Sequence, residues 1–128
     1  MEILASRVLF RPADYQRSLV FYRDAIGLAI AREYGAGTVF YAGQSLIELA
    51  GHGAPDDPGA RFPGALWLQV RDAHATQAEL QGRGVAITRT ARQEPWGLVE
   101  MHVTDPDGVT LIFVQIPETH PLRRDARM

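Results

Sequence analysis

"EPWGLVEMHVTDPDGVTLIF", Glu94 to Phe113, is the stretch that decides how the rest of the chain reads. Two apolar strand-length segments flank Asp-Pro-Asp-Gly, where Pro106 and Gly108 supply the backbone angles of a hairpin turn. A Pro-Trp-Gly corner leads in, with Pro95 restricting the backbone before Trp96 and Gly97 freeing it afterwards. The turn lacks the run of oxygen donors of a calcium loop, and no Gly-rich phosphate cradle leads from it into a helix. The segment therefore reads as two antiparallel strands with a Glu and a His, Glu100 and His102, on the first of them.

Working outward, "ALWLQV" from Ala65 is a strand, "RDAHATQAELQGRG" is a helix that starts at Asp72 and closes near Gly82 and Gly84, and "VAITRT" is a further strand. The order is β-α-β-β-β. The first half repeats it. "ILASRVLF" (Ile3 to Phe10) is a strand, and "PADYQRSLVFYRDAIG" is a helix capped by Asp14 and ended by Gly27. Its Tyr15, Leu19, Tyr22 and Ile26, at spacings of four, three and four, form one apolar face. "LAIARE", "GTVFYAG" and "SLIELAG" follow as three strands. A Gly- and Pro-rich loop separates modules of about 1–52 and 62–117 in a single domain, 1–118. The sheet of either module has two faces to cover, so the duplication predicts an α+β fold of paired βαβββ modules. The tail, 119–128, has no periodicity and is expected to be poorly ordered or packed on a partner.

Composition narrows the function. The 128 residues carry 46% hydrophobic side chains, enough for a core, and a net charge of −2 that offers neither nucleic acid nor membrane a basic surface. No cysteine is present, so disulfides, thiolate metal sites and Cys nucleophiles are excluded. The N-terminal "MEILASRVLF" has no basic segment followed by a long apolar run, which predicts a cytoplasmic protein. No Ser-His-Asp arrangement or nucleophile elbow is visible.

The repeated module, with "DYQRSLVFYRDAIGL" in the first half and "EPWGLVEMHVTDPDGVTLIF" in the second, resembles the vicinal oxygen chelate superfamily over about Ile3 to Gln115. That group includes glyoxalase I, extradiol dioxygenases, fosfomycin-resistance enzymes and bleomycin-resistance proteins. The resemblance implies curved mixed sheets enclosing a cleft, usually in a homodimer. It also implies, for the metal-dependent branches, four His or Glu ligands on the first and last strands of each half. Here those positions fall on Arg7, Glu48, Ala65 and Ile112, of which Glu48 alone can bind a divalent cation. No metal or other cofactor is expected.

The cleft predicted in this way is lined by Arg7, Phe40, Glu48, Trp67, Gln69, Trp96, His102 and Ile112. Arg7 suits a carboxylate, phosphate or carbonyl, and Glu48 an amine or hydroxyl; equally, the two pair with each other. Strand alternation puts Trp67 and Gln69 on the side of Ala65, where an indole stacks on a planar ligand or caps the core or a dimer seam. Trp96 touches ligand or packs as a rigid corner. Glu100 and His102 share a face, either toward the cleft or toward solvent. His52, His74 and His120 have no assigned role.

Two readings of function follow. The first is a metal-independent binding protein that sequesters an antibiotic or other planar or amphipathic small molecule in a cleft of a homodimer. The second is a lyase, isomerase or dioxygenase of the same superfamily, with an atypical metal set around Glu48 or a metal-free mechanism with Glu48 as base and Arg7 as its electrostatic partner.

Overall fold

A computed structural model describes residues 1–53 and 62–121. Most of the tail, from residue 122, and part of the loop between the modules lie outside the described residues. The chain divides into two compact units, Met1–Arg61 with Asp105–Gly108, and Phe62–Thr104 with Val109–Met128.

In the first unit, β1 (Val8–Phe10) is followed by α1 (Tyr15–Val20), which continues as a π-helical segment over Phe21–Ile26, and then by β2 (Ile30–Tyr34), β3 (Gly37–Ala42) and β4 (Ser45–Ala50). Asp14 caps α1 by accepting from the Arg17 amide at 3.1 Å. Gly27, at φ +84°, closes the helix, and the Gly27 and Leu28 amides both donate to the Tyr22 carbonyl. The sheet order is β1-β4-β3-β2, with β1 parallel to β4 and the other pairs antiparallel.

The second unit repeats this plan. It contains β5 (Ala65–Val70), α2 (Ala73–Gly82), β6 (Arg89–Gln93), β7 (Val99–Thr104) and β8 (Thr110–Gln115), in the order β5-β8-β7-β6. Asp72 caps α2 through the Ala75 amide at 2.9 Å. The likeness extends to irregularities, since β2 is shifted in register between Ile30 and Arg32 and β6 between Arg89 and Arg92. The fold is α+β, two four-stranded mixed sheets each with its helix, as the repeat implied.

Two strand boundaries and one facing differ from the sequence reading. The apolar run from Ile3 gives only Val8–Phe10 as strand, because Ile3 and Leu4 are exposed and the β4 pairing starts at Val8. The strand expected at Val85–Thr90 begins at Arg89 and runs to Gln93. Phe40 is also corrected. It pairs with Ile47 while its neighbour Val39 pairs with Glu48, so Phe40 points to the helix side of the sheet. There it is fully buried, its ring 6.3 Å from that of Tyr22, and it belongs to the core.

The Asp105–Gly108 turn is a hairpin turn, with Gly108 at φ +87° and the Asp107 amide donating to Asp105 Oδ1 at 2.8 Å. It packs within the first unit. Tyr22 donates its buried hydroxyl to Asp105 Oδ2 at 2.8 Å, Arg17 donates to the Pro106 carbonyl at 2.6 Å, and the Ala13 amide donates to Asp107 Oδ1 at 3.2 Å. Burial, followed by the charge of Asp105, pushes the Tyr22 phenol far above its ordinary value.

Candidate functional site

The first unit builds its polar cluster on the sheet face away from α1. Glu48 sits in β4 with a side chain that is largely buried, a position that is costly for a carboxylate without partners. It has two. Arg7, just before β1, donates to Oε1 at 3.0 Å, and Tyr34, at the end of β2, donates to Oε2 at 2.5 Å. The Tyr34 hydrogen bond is the main cause that holds the Glu48 carboxyl below its ordinary range, aided by Arg7 and by the charge of Arg32, while burial opposes them. The same bond raises the Tyr34 phenol. His52 Nε2 lies 3.3 Å from the Tyr34 hydroxyl; with the Tyr34 proton committed to Glu48, Nε2 is the donor there. The Arg32 guanidinium lies 5.2 Å from the centre of the Tyr34 ring.

Of the two readings left open for Arg7 and Glu48, anchors for a ligand or a pair with each other, the contact between the two is present. The sequence reading had missed Tyr34 and His52. A Tyr at the end of one strand and a Glu in another carry no shared sequence signal until the register of β2, β3 and β4 is known.

In the second unit the register answers a question that alternation had left open. Trp67 pairs with Ile112, Ile112 with His102 and His102 with Arg89, so these four side chains form one row on one face. Gln69, Val114 and Glu100 form a neighbouring row on the same face. The opposite face carries Leu111, Phe113, Met101 and Gln115, and Gln115 Oε1 accepts from the first amide of α2, which marks that face as the helix side. Glu100 and His102 therefore lie with Trp67, away from α2.

On this face Trp67 is 50% exposed and Trp96 57% exposed, whereas Glu100 is buried and takes the Trp96 indole N–H at 2.8 Å. That bond fixes the angle of the ring at the corner, which is further closed by hydrogen bonds from the Glu94 amide to Leu98 O and from the Gly97 amide to Glu94 O. His120 Nε2 lies 3.0 Å from the Trp96 carbonyl. Ile112 packs against Leu98, Val114 and Ile116 as an apolar floor. His102 Nε2 is 3.3 Å from Arg89 Nη1, and because a guanidinium only donates, the histidine accepts there. Arg89 also pairs with the buried Glu94, which Arg92 approaches at 3.5 Å. Arg89 and Glu94 were not singled out by the sequence reading.

This repeated βαβββ plan has relatives. A model of the glyoxalase/bleomycin resistance protein/dioxygenase superfamily matches residues 5–113. The chain belongs to that superfamily.

Among solved structures of similar fold are a lactoylglutathione lyase from Agrobacterium tumefaciens, at 17% identity and TM-score 0.67, with 90% of this chain and 96% of that one covered. A superfamily member from Sphaerobacter thermophilus shares 22% identity at TM-score 0.67, covering 89% of this chain and 98% of its own. Another from Alicyclobacillus acidocaldarius shares 15% identity at TM-score 0.68, covering 88% and 90%. At these identities the likeness concerns the fold. No curated protein matches the sequence.

The residues that fall where the resemblance to the metal-dependent branches implies ligands do not fit a divalent ion. Both Glu48 oxygens are engaged, one of them by a cationic guanidinium. The side chains of Ala65 and Ile112 bring no donor atom. Among the described residues, no three of His, Cys, Asp and Glu converge in a way that would hold a metal. No helix of the described residues is long and apolar enough to cross a membrane.

Proposed function

We propose that this superfamily member is a metal-independent binding protein for a planar or amphipathic small organic molecule, acting as a homodimer. The observation that carries the reading is the face of the second sheet on which a half-exposed Trp67 lies in one row with Ile112 and His102, with the tethered Trp96 alongside. Indole rings held open beside an apolar floor and a few convergent polar groups are what a planar ligand requires. In the first unit, Arg7 and Glu48 form a polar pair of their own. Glu48, with its carboxyl held low by Tyr34 and Arg7, is a weak base, which counts against proton abstraction as the protein's work.

The chain has two tryptophans and both belong to this face, so intrinsic fluorescence reports on the site without a label. A titration with planar antibiotics and small aromatic acids is expected to change the emission stoichiometrically and to release no product. Trp67→Phe and Trp96→Phe then assign the signal to each ring. Ligands that raise the melting temperature but leave both tryptophans unperturbed place binding elsewhere and overturn the reading. Sedimentation equilibrium tests the dimer.

A further inference from the structure

The row across the second sheet changes character from one end to the other. Trp67 on β5 and Ile112 on β8 are apolar, and His102 on β7 and Arg89 on β6 are polar and cationic. Three inter-strand spacings separate the outer strands, roughly 14 Å of backbone. The contact between Arg89 Nη1 and His102 shows that the arginine side chain leans back over β7, toward the tryptophan. The row therefore offers an apolar, aromatic end and a cationic end on one face, which is the polarity of an aromatic ring bearing a single acidic group.

Arg89 is also incompletely served by the protein. Nη1 meets His102 and Nη2 meets Glu94, while its Nε is buried with no hydrogen-bond partner among the described residues. A buried guanidinium donor without an acceptor is costly. Glu94 does not neutralise the local charge, because it is shared between Arg89 and Arg92. Glu100, the other carboxylate nearby, keeps its charge, but it is buried, accepts from the Trp96 indole and pairs with neither arginine; it lies 3.8 Å from His102. The Arg89 side chain is 26% exposed, so an incoming acidic group reaches it through the Nη hydrogens that these contacts leave over, not through the buried Nε.

We propose that the Trp67–Ile112–His102–Arg89 row is a subsite for an aromatic carboxylate. The ring lies on Trp67 and Ile112, the carboxylate pairs with Arg89, and His102 positions the guanidinium by accepting one of its hydrogens. This names the ligand class for the binding function proposed above and rests on that reading. Arg89 is the specificity-determining residue, since a charge-assisted hydrogen bond separates an acid from its neutral amide where ring stacking does not.

The test uses the full chain with 2-naphthoate and its neutral counterpart 2-naphthamide, followed by tryptophan fluorescence and by calorimetry. The naphthoate is expected to bind roughly tenfold or more tightly than the amide. Arg89→Gln is expected to erase that preference by weakening the acid far more than the amide, and Trp67→Ala to weaken both probes. Should Arg89→Gln leave Glu94 too poorly paired to fold, His102→Ala keeps the charge and loosens its position, and is expected to reduce the preference several-fold. If the amide binds wild type as tightly as the acid, anion recognition is refuted while the binding face stands. If neither probe binds, or if both bind and Trp67→Ala changes neither, the row is not the site and both readings fall. The second result includes the case in which another copy of the chain covers this face, which sedimentation of Trp67→Ala would reveal as loss of the dimer.

Discussion

Replacing Tyr34 with Phe removes one hydroxyl and measures how the buried Glu48 is held. That hydroxyl donates to Oε2 at 2.5 Å, and Glu48 is only 8% exposed, so no water readily takes its place. A hydrogen bond to a charged group contributes about 1.5–3 kcal/mol net, and the partial exposure of Tyr34 puts this one near the low end, about 1.5 kcal/mol. For a chain of 128 residues, that loss lowers the melting temperature by about 6 °C. The effect must also depend on pH. The Glu48 carboxyl is held below its ordinary value of 4.5, chiefly by Tyr34. A group with a depressed folded-state pKa stabilises the fold above its unfolded pKa and loses that contribution as pH falls through the folded value. The difference between wild type and Tyr34→Phe is therefore full at neutral pH, begins to shrink near 4.5 and falls, below the folded value, to what a hydrogen bond to a neutral carboxyl contributes. Urea unfolding followed by circular dichroism at neutral pH and at strongly acidic pH measures both points. An equal cost at the two pH values, or no cost at neutral pH, refutes the assigned hydrogen bond.

Four further outcomes are expected. Tyr22→Phe leaves the buried Asp105 without its hydroxyl donor and costs about 2 kcal/mol in urea unfolding, with the ring packing against Phe10 and Phe40 retained. Trp96→Phe takes the indole N–H from buried Glu100 and costs about 1–2 kcal/mol by the same measurement. Gly97→Ala strains a residue at φ +95° and brings a Cβ within 2.9 Å of the His120 ring, for a cost of about 1–2 kcal/mol. Adding His120→Ala recovers only the steric part of that cost. Divalent zinc or manganese raises the melting temperature of neither wild type nor Glu48→Gln in a thermal-shift titration, because both Glu48 oxygens are engaged.

The order of elements was legible because it rests on local chemistry. Asp14 and Asp72 cap their helices and Gly27 ends one of them, and such signals need only neighbours a few residues away. The duplication was legible for the same reason, since each copy repeats the same short-range pattern. Facing was harder. Phe40 and Glu48 look equally suited to a cleft as residue types, and the β3–β4 register sends them to opposite sides. The pairing of Trp67, Ile112, His102 and Arg89 requires the register of four strands together, one of them irregular between Arg89 and Arg92. Arg89 was also hidden by its position, because the apolar pattern of Val85–Thr90 suggested a strand that begins several residues early. Isolated polar residues such as Tyr34 and Glu94 become informative only when a buried partner is seen beside them.

The Asp105–Gly108 turn has a consequence for the time course of synthesis. Tyr22, Arg17 and Ala13 take their partners from a turn made long after them, although turn and helix belong to one compact unit. Between Ala50 and Asp105 the ribosome must add four more elements, which takes about 3–11 s at ordinary elongation rates. Throughout that interval the nascent first half carries a helix whose inner phenol has no acceptor. The first half is thus expected to complete only after most of the second has emerged, so the two repeats mature together and not one after the other.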